Sequence, residues 1–180
     1  TSEQILARGF LRVGMSGDYA PFCLCPASEE SPGSNEKCTG FEVETARRLA
    51  ADLGVRLEIV RFRWPELRHD LEADKFDVVM SGVTMRPERL LFATFTRPYA
   101  VAGAVVLVAD PQRFPVVTAV NHTDVRLAVN AGGHLEQVAR SRFTSSTVIT
   151  TLKNTELPTL VADHQADADL VHPVRSLAAR

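Results

Sequence analysis

Phe76-Asp77-Val78-Val79-Met80-Ser81-Gly82-Val83-Thr84 is a short, mostly apolar run that empties into a polar turn carrying a glycine. A run of this length bounded by turn residues reads as a strand covered on both faces, the kind parallel sheets use. Pro87-Glu88-Arg89 follows, and a proline at a first helical position predicts a short helix there. A strand end that feeds a helix start is where open α/β sheets place their ligands.

Working upstream, Leu11-Arg12-Val13-Gly14-Met15 alternates and runs into the turn-rich Ser16-Gly17-Asp18-Tyr19-Ala20-Pro21-Phe22. After Gly40, the apolar residues Val43, Ala46, Leu49, Ala50 and Leu53 recur at helical spacing, and Gly54 ends the segment. Val55 to Val60 alternates as a strand, and Trp64-Pro65 opens a helix through Leu67 and Leu71. Strand, helix, strand, helix, strand is the signature of a parallel α/β sheet. The polar loops after Met15 and after Met80 therefore point to one rim.

Downstream, Gly103 to Val108 predicts a further strand, and Asp110-Pro111 breaks the pattern. A second α/β set follows: Val125 to Asn130 as strand, Ala131-Gly132-Gly133 as turn, Leu135 to Arg142 as helix, Thr147 to Thr150 as strand, Glu156 to His164 as helix. The break predicts a first lobe over 1–108, a second over 109–170, and a short tail over 171–180. No internal repeat stands out, nor any low-complexity tract beyond the loop from Ala27 to Lys37.

With 180 residues, 45% hydrophobic and 23% charged, the chain can bury a real core. A net charge of −2 gives no basic field for a polyanion, which argues against nucleic acid as a partner. The longest apolar stretch, Ala100 to Ala109, falls well short of the ~20 residues of a membrane-spanning helix. The sequence starts at Thr1 without a basic, apolar leader; a removed signal peptide and a trimmed chain are both open.

Cys23, Cys25 and Cys38 share one polar segment. A Cys25–Cys38 bridge would close the loop between them, suit an oxidising compartment and leave Cys23 free; three reduced thiols are the alternative. A metal cluster does not fit, because Cys-x-Cys plus one distant cysteine lacks paired zinc-site spacing.

Ser81, Gly82 and Thr84 with Arg89 form a candidate anion cradle. Unpaired N–H groups, a close backbone approach at Gly82, the Thr84 hydroxyl and the planar fork of Arg89 all suit a carboxylate. The plain alternative is a capped helix with a solvated arginine. Gly133 and His134, ahead of the second-lobe helix, are a weaker cradle of the same kind. Tyr19 and Trp64 lie in or beside the rim loops and suit apolar contact with a ligand body; core packing is their alternative. The signatures of serine hydrolases, zinc proteases, phosphate loops and dinucleotide binding are absent, so no catalytic residue, cofactor or metal is assigned.

Taken in order, Gly17-Asp18-Tyr19-Ala20-Pro21-Phe22, Gly40-Phe41-Glu42-Val43-Glu44, Trp64-Pro65-Glu66-Leu67, Asp74-Lys75-Phe76-Asp77, Ser81-Gly82-Val83-Thr84 with Pro87-Glu88-Arg89, and Phe95-Thr96-Arg97-Pro98-Tyr99 resemble the motif series of family 3 extracellular solute-binding proteins. The resemblance implies a two-lobed α/β fold of the Venus-flytrap, type II periplasmic-binding-protein kind, with a hinge and an enclosed ligand. It implies that Gly82, Thr84 and Arg89 hold a ligand carboxylate, that Gly133 and His134 contact it from the second lobe, and that Tyr19 and Trp64 wall the pocket. It further implies a periplasmic or extracellular location, an amino acid or related acid as ligand, and a membrane ABC transporter as partner.

Within that family, Trp64-Pro65, Asn130-Ala131-Gly132-Gly133 and Glu136 look most like cyclohexadienyl dehydratases, which act on prephenate or arogenate. That chemistry needs a general acid near the departing hydroxyl. The stretch Ala168 to Ser176, where those enzymes carry a catalytic Glu, offers no matching carboxylate, and His172 is the nearest proton donor. A binding protein is thus the leading expectation, a dehydratase the rival, and a degenerate or sensor paralogue a third reading. Family members also continue past the position of Arg180, so the fold is expected to be shortened at its C-terminus, with a homodimer as one way to cover exposed apolar surface.

Overall fold

The computed structural model describes residues 1–26 and 37–172. Its elements in chain order are α1 (Ser2–Arg8), β1 (Phe10–Met15), β2 (Asp18–Tyr19), β3 (Cys23–Leu24), α2 (Phe41–Asp52), β4 (Arg56–Arg61), α3 (Leu67–Glu72), β5 (Val78–Val79), β6 (Val105–Val108), β7 (Arg126–Asn130), α4 (His134–Arg142), β8 (Thr147–Thr151), α5 (Leu157–Ala162) and β9 (Ala168–Val171). No helix among the described residues is long and apolar enough to cross a membrane. The chain divides into two compact units, Thr1–Tyr99 and Ala100–Arg180.

The first unit is built on a parallel sheet in the order β4-β1-β5. Alternation in β1 sends Leu11, Val13 and Met15 to one face, where they pack with Val43, Ala46 and Ala50 of α2. Each such buried side chain contributes about 2 kcal/mol. Gly14 lies on the opposite face, and a Cβ there would stand 3.0 Å from the Phe76 ring, so a side chain would crowd the second cluster of Phe62, Trp64, Leu67 and Phe76. The predicted Phe76–Met80 strand shrinks to β5. Hydrogen bonds from Asp77 N–H to the Arg12 carbonyl (2.9 Å) and from Met80 N–H to the Gly14 carbonyl (3.0 Å) still hold its two ends along β1.

Sequence periodicity does not announce α1, because none of its residues is buried; the helix rests on local chemistry. Thr1 and Gln4 cap it reciprocally, and Gly9 closes it in the left-handed region at φ 79°.

Among the described residues, the second unit holds a four-stranded sheet in the order β6-β9-β7-β8. Strands β7, β8 and β9 are parallel, while β6 runs antiparallel to β9, with Val105 opposite Val171 and Val108 opposite Ala168. This pairing corrects the boundary expected at residue 109: Val105–Val108 belongs with the second unit, and Asp110-Pro111 is a turn inside it. The core gathers Val125, Leu127 and Val129 of the β7 segment with Ala139 of α4, Phe143 and Leu170.

The two units share a device that sequence inspection missed. In the first, Asp77 accepts the Arg12 N–H at 2.8 Å and its side chain at 3.0 Å, and also pairs with Arg8; Arg12 reaches on to the carbonyl of Asp74, a left-handed residue at φ 54°. In the second, Asp167 accepts the Arg126 N–H at 2.9 Å and its Nε at 3.1 Å, and Arg126 reaches the carbonyl of His164 at φ 56°. A strand arginine and the aspartate after a helix thus clasp the same βαβ corner twice. Burial pushes both carboxyls up, but the hydrogen bonds and charge of the arginines outweigh it and hold Asp77 and Asp167 below the ordinary aspartate value.

Cys25 and Cys38 form a disulfide, and Cys23 is a free, buried thiol. The low-complexity loop lies largely, and the tail beyond His172 wholly, outside the described residues.

Candidate functional site

The chain leaves β5 through Ser81, Gly82, Val83 and Thr84, and three separate contacts fix this turn. Ser81 is 0% exposed; its hydroxyl accepts the Ser16 N–H at 3.0 Å, donates to the Ser16 hydroxyl at 2.9 Å and lies 3.2 Å from the Cys23 sulfur. The Ser81 side chain thus ties the ends of β1 and β5 together and is spent on internal partners. Gly82 adopts φ 62°, and a Cβ there would stand 2.6 Å from the Tyr19 ring, so both backbone conformation and space demand glycine. Its N–H is donated to Oε2 of Glu42, so an internal carboxylate already holds the amide expected to meet a ligand. The Thr84 carbonyl accepts Nη1 of Arg89 at 2.9 Å.

Arg89 sits in a short 3₁₀ helix, Pro87–Leu91. It is 3% exposed, with its guanidinium carbon 5.5 Å from the centroid of the Trp64 ring. It forms no ion pair among the described residues. Burial pulls it down to about 10, helped by the like charge of Arg86 and opposed by Glu88. A buried guanidinium held by one carbonyl and one aromatic face keeps most of its N–H donors for an incoming oxyanion.

The expected pocket-wall aromatics are both buried. Trp64 packs edge-on to Phe62 at 5.3 Å and floors Arg89, while Tyr19 stacks on Phe22 at 5.4 Å and covers Gly82. Their direct partners are thus the two cradle residues rather than open solvent.

In the second unit, Gly133 is the N-cap of α4 and His134 its first residue. Gly132, left-handed at φ 72°, donates its N–H to Glu136 Oε2 at 2.7 Å, and Glu136 is answered by Arg140 at 2.9 Å. The His134 ring stacks on that of His172, with centroids 6.4 Å apart and planes 12° from parallel. His172 Nδ1 lies 2.9 Å from the Gly103 carbonyl. A carbonyl can only accept, so Nδ1 carries the proton. Sequence gave no reason to place His172 beside His134; only the pairing of β9 along β7 brings them together. Glu42 was missed likewise: a helix-start acid is legible, its partner forty residues away is not.

Residues 11–169 match the family model of bacterial extracellular solute-binding proteins, family 3. The chain belongs to this family. Membership places it outside the cytoplasm, and its fold is the two-lobed α/β one of periplasmic amino-acid-binding proteins. The chain is 34% identical to a cyclohexadienyl dehydratase of Pseudomonas aeruginosa over 92% of its own length and 60% of the relative's. It is 32% identical to the L-cystine-binding protein TcyJ of Escherichia coli K12, over 77% of this chain and 49% of that protein. The chain thus spans roughly half to three-fifths of these family 3 relatives. Among solved structures it resembles the ancestral amino acid-binding protein AncCDT-1, a precursor of cyclohexadienyl dehydratase, with TM-score 0.89, 34% identity and coverage of 99% of this chain and 77% of that one. A point mutant of the arginine-bound ArgBP of T. maritima gives TM-score 0.85 and 28% identity, covering 99% and 80%.

Proposed function

We propose that this chain is the ligand-binding part of an extracellular solute receptor that holds the carboxylate of an amino acid or a related small acid. The observation that carries the reading is Arg89, a buried guanidinium with no ion pair among the described residues, floored by Trp64 and steadied by the Thr84 carbonyl. Removing a cation from water is costly unless an anion answers it, and a ligand carboxylate is a two-oxygen match for the arginine fork. Gly133 and His134 at the start of α4 are a second anion-seeking position. Relatives named as cystine-binding and arginine-bound support an amino acid as the ligand class, and relatives named as ABC transporter binding proteins for amino acids support a membrane ABC transporter as the partner that receives it. Calorimetric titration with a panel of amino acids and keto acids tests the reading. Binding heat in wild type that disappears in Arg89→Ala supports it; equal signals from the two proteins overturn it.

The similarity to a dehydratase favours a second reading, in which the chain converts prephenate or arogenate. The described end of β9 offers His172, stacked on His134, where that reaction calls for a proton donor. Incubation with prephenate separates the two: phenylpyruvate forms if the chain is an enzyme, and none forms if it only binds.

A further inference from the structure

Arg86 caps the amino end of the 3₁₀ helix Pro87–Leu91 that carries Arg89. Its carbonyl accepts the Arg89 N–H at 3.0 Å, so the two arginines stand one 3₁₀ turn apart. Side chains spaced by three residues in such a turn project in nearly the same direction. The electrostatics agree, because the charge of Arg86 reaches Arg89 and pulls it down further than burial does alone. The Arg86 side chain is itself only 15% exposed. Two like charges have thus been taken largely out of water side by side.

The acid that answers them is remote. Glu88 comes no closer than 3.9 Å to Nε of Arg86, and its side chain is 62% exposed, so solvent screens the pair. Among the described residues, Arg86 and Glu88 are the charges that act on Arg89. Glu42 is taken by the Gly82 amide and the Tyr99 hydroxyl. The helix start therefore carries a surplus of positive charge that a single ligand carboxylate leaves half answered. A zwitterionic amino acid with one carboxylate does less still, since its ammonium adds a cation to the two arginines. An acid with two carboxylates remains net negative even when it has an ammonium, and matches the pair charge for charge.

We propose that Arg86 is a specificity-determining residue of the first unit: with Arg89 it makes a double-arginine site that selects acids carrying two carboxylates over amino acids carrying one. The Arg89 fork holds the first carboxylate, and Arg86 attracts the second. This rests on the proposed function, because it assumes a carboxylate at Arg89, and it narrows the ligand class to acidic amino acids and their keto acids.

Calorimetric titration tests it by comparing acids with their amides, which match in size and differ by one charge. The probes are L-glutamate against L-glutamine and L-aspartate against L-asparagine, with 2-oxoglutarate and L-arginine as the extremes of charge. In wild type one acid at least binds about tenfold or more tighter than its amide. Arg86→Gln brings that ratio to within about threefold, whereas Arg86→Lys, which keeps the charge, still prefers the acid. Glu88→Gln, which removes the competing carboxylate, widens the ratio. A merely structural Arg86 would weaken acid and amide alike and leave the ratio where it was. Equal binding of acid and amide in wild type, or a ratio unchanged in Arg86→Gln, overturns the proposal. Should Arg86→Gln not fold, the exposed Glu88→Gln decides, and a ratio that fails to rise there overturns it. Binding of an amide or of L-arginine that is lost in Arg89→Ala, while no acid binds, overturns this inference and leaves the carboxylate-receptor reading standing. Absence of any Arg89-dependent signal overturns both.

Discussion

The guanidinium carbon of Arg89 lies 5.5 Å from the ring centroid of Trp64, the single tryptophan of the chain. One indole therefore reports on the charge above it. An anion that docks on Arg89 changes the field at the ring, so tryptophan emission shifts in intensity or wavelength as a binding amino acid is titrated in. In Arg89→Ala the titration becomes flat, and in Arg89→Lys, which keeps the charge but loses the two-pronged geometry, the apparent affinity drops at least about tenfold. Fluorescence titration of the three proteins checks this.

Gly82→Ala tests how tightly the turn is built. The new methyl would have to stand 2.6 Å from the Tyr19 ring at a backbone φ of 62°, and neither strain can be relieved without moving the stacked Tyr19–Phe22 pair. Urea denaturation is expected to show a loss of about 2 kcal/mol or more. Gly133→Ala, in extended backbone and 3.5 Å from its nearest neighbour, is expected to cost far less.

The paired clasps predict acid sensitivity of a definite sign. Asp77 and Asp167 are held below the ordinary aspartate value, so their stabilisation is fully present above about pH 4, the unfolded reference, and is lost as pH falls through their lower folded values. Thermal melts recorded downward from neutral pH should show Tm decreasing across that window. The decrease should be smaller in Asp77→Asn, which no longer titrates there. Asp77→Ala, which leaves the Arg12 N–H without its carboxylate, should cost about 2 kcal/mol at neutral pH.

Reducing the Cys25–Cys38 bridge restores chain entropy to the unfolded state, worth about 3 kcal/mol for a loop of this size. Denaturation with and without reductant measures it. Cys23 should resist thiol reagents in the folded protein, because it is buried and burial pushes its thiol up, and should react once the chain is unfolded.

Local patterns made much of this molecule legible. The alternation of Leu11, Val13 and Met15, the helical spacing from Val43 to Ala50 and the run into Ser81 each reflect a contact between a residue and the face it covers, and such contacts leave a period in the sequence. The Cys25–Cys38 bridge was readable from a short loop. What escaped depends on partners far apart in the chain. Glu42 reads as a helix-start acid, and nothing near it says that its carboxylate reaches Gly82. Val105–Val108 reads as a strand on either side of the boundary, and only its partner, β9, decides which unit owns it. The twin clasps at Asp77 and Asp167 were hidden because the surrounding residues differ: Trp64 and Asn154, or Phe76 and Ala166, hold matching places with unlike chemistry. Ser81 belongs to the turn read as an anion cradle, and nothing local says that its hydroxyl is taken by Ser16 and Cys23.

The antiparallel pairing of β6 with β9 has a consequence for how the chain is made. Among the described residues, every strand of the first sheet has been made once Val79 has left the ribosome, so the amino-terminal unit can begin to fold while synthesis continues. Among the described strands, the other sheet joins its earliest to its latest, and Val105–Val108 must wait, bare-edged, until Ala168–Val171 has emerged. During that interval an apolar edge is open to wrong neighbours, which makes the nascent second half the part of the polypeptide that most needs a holding chaperone on its way to the cell exterior.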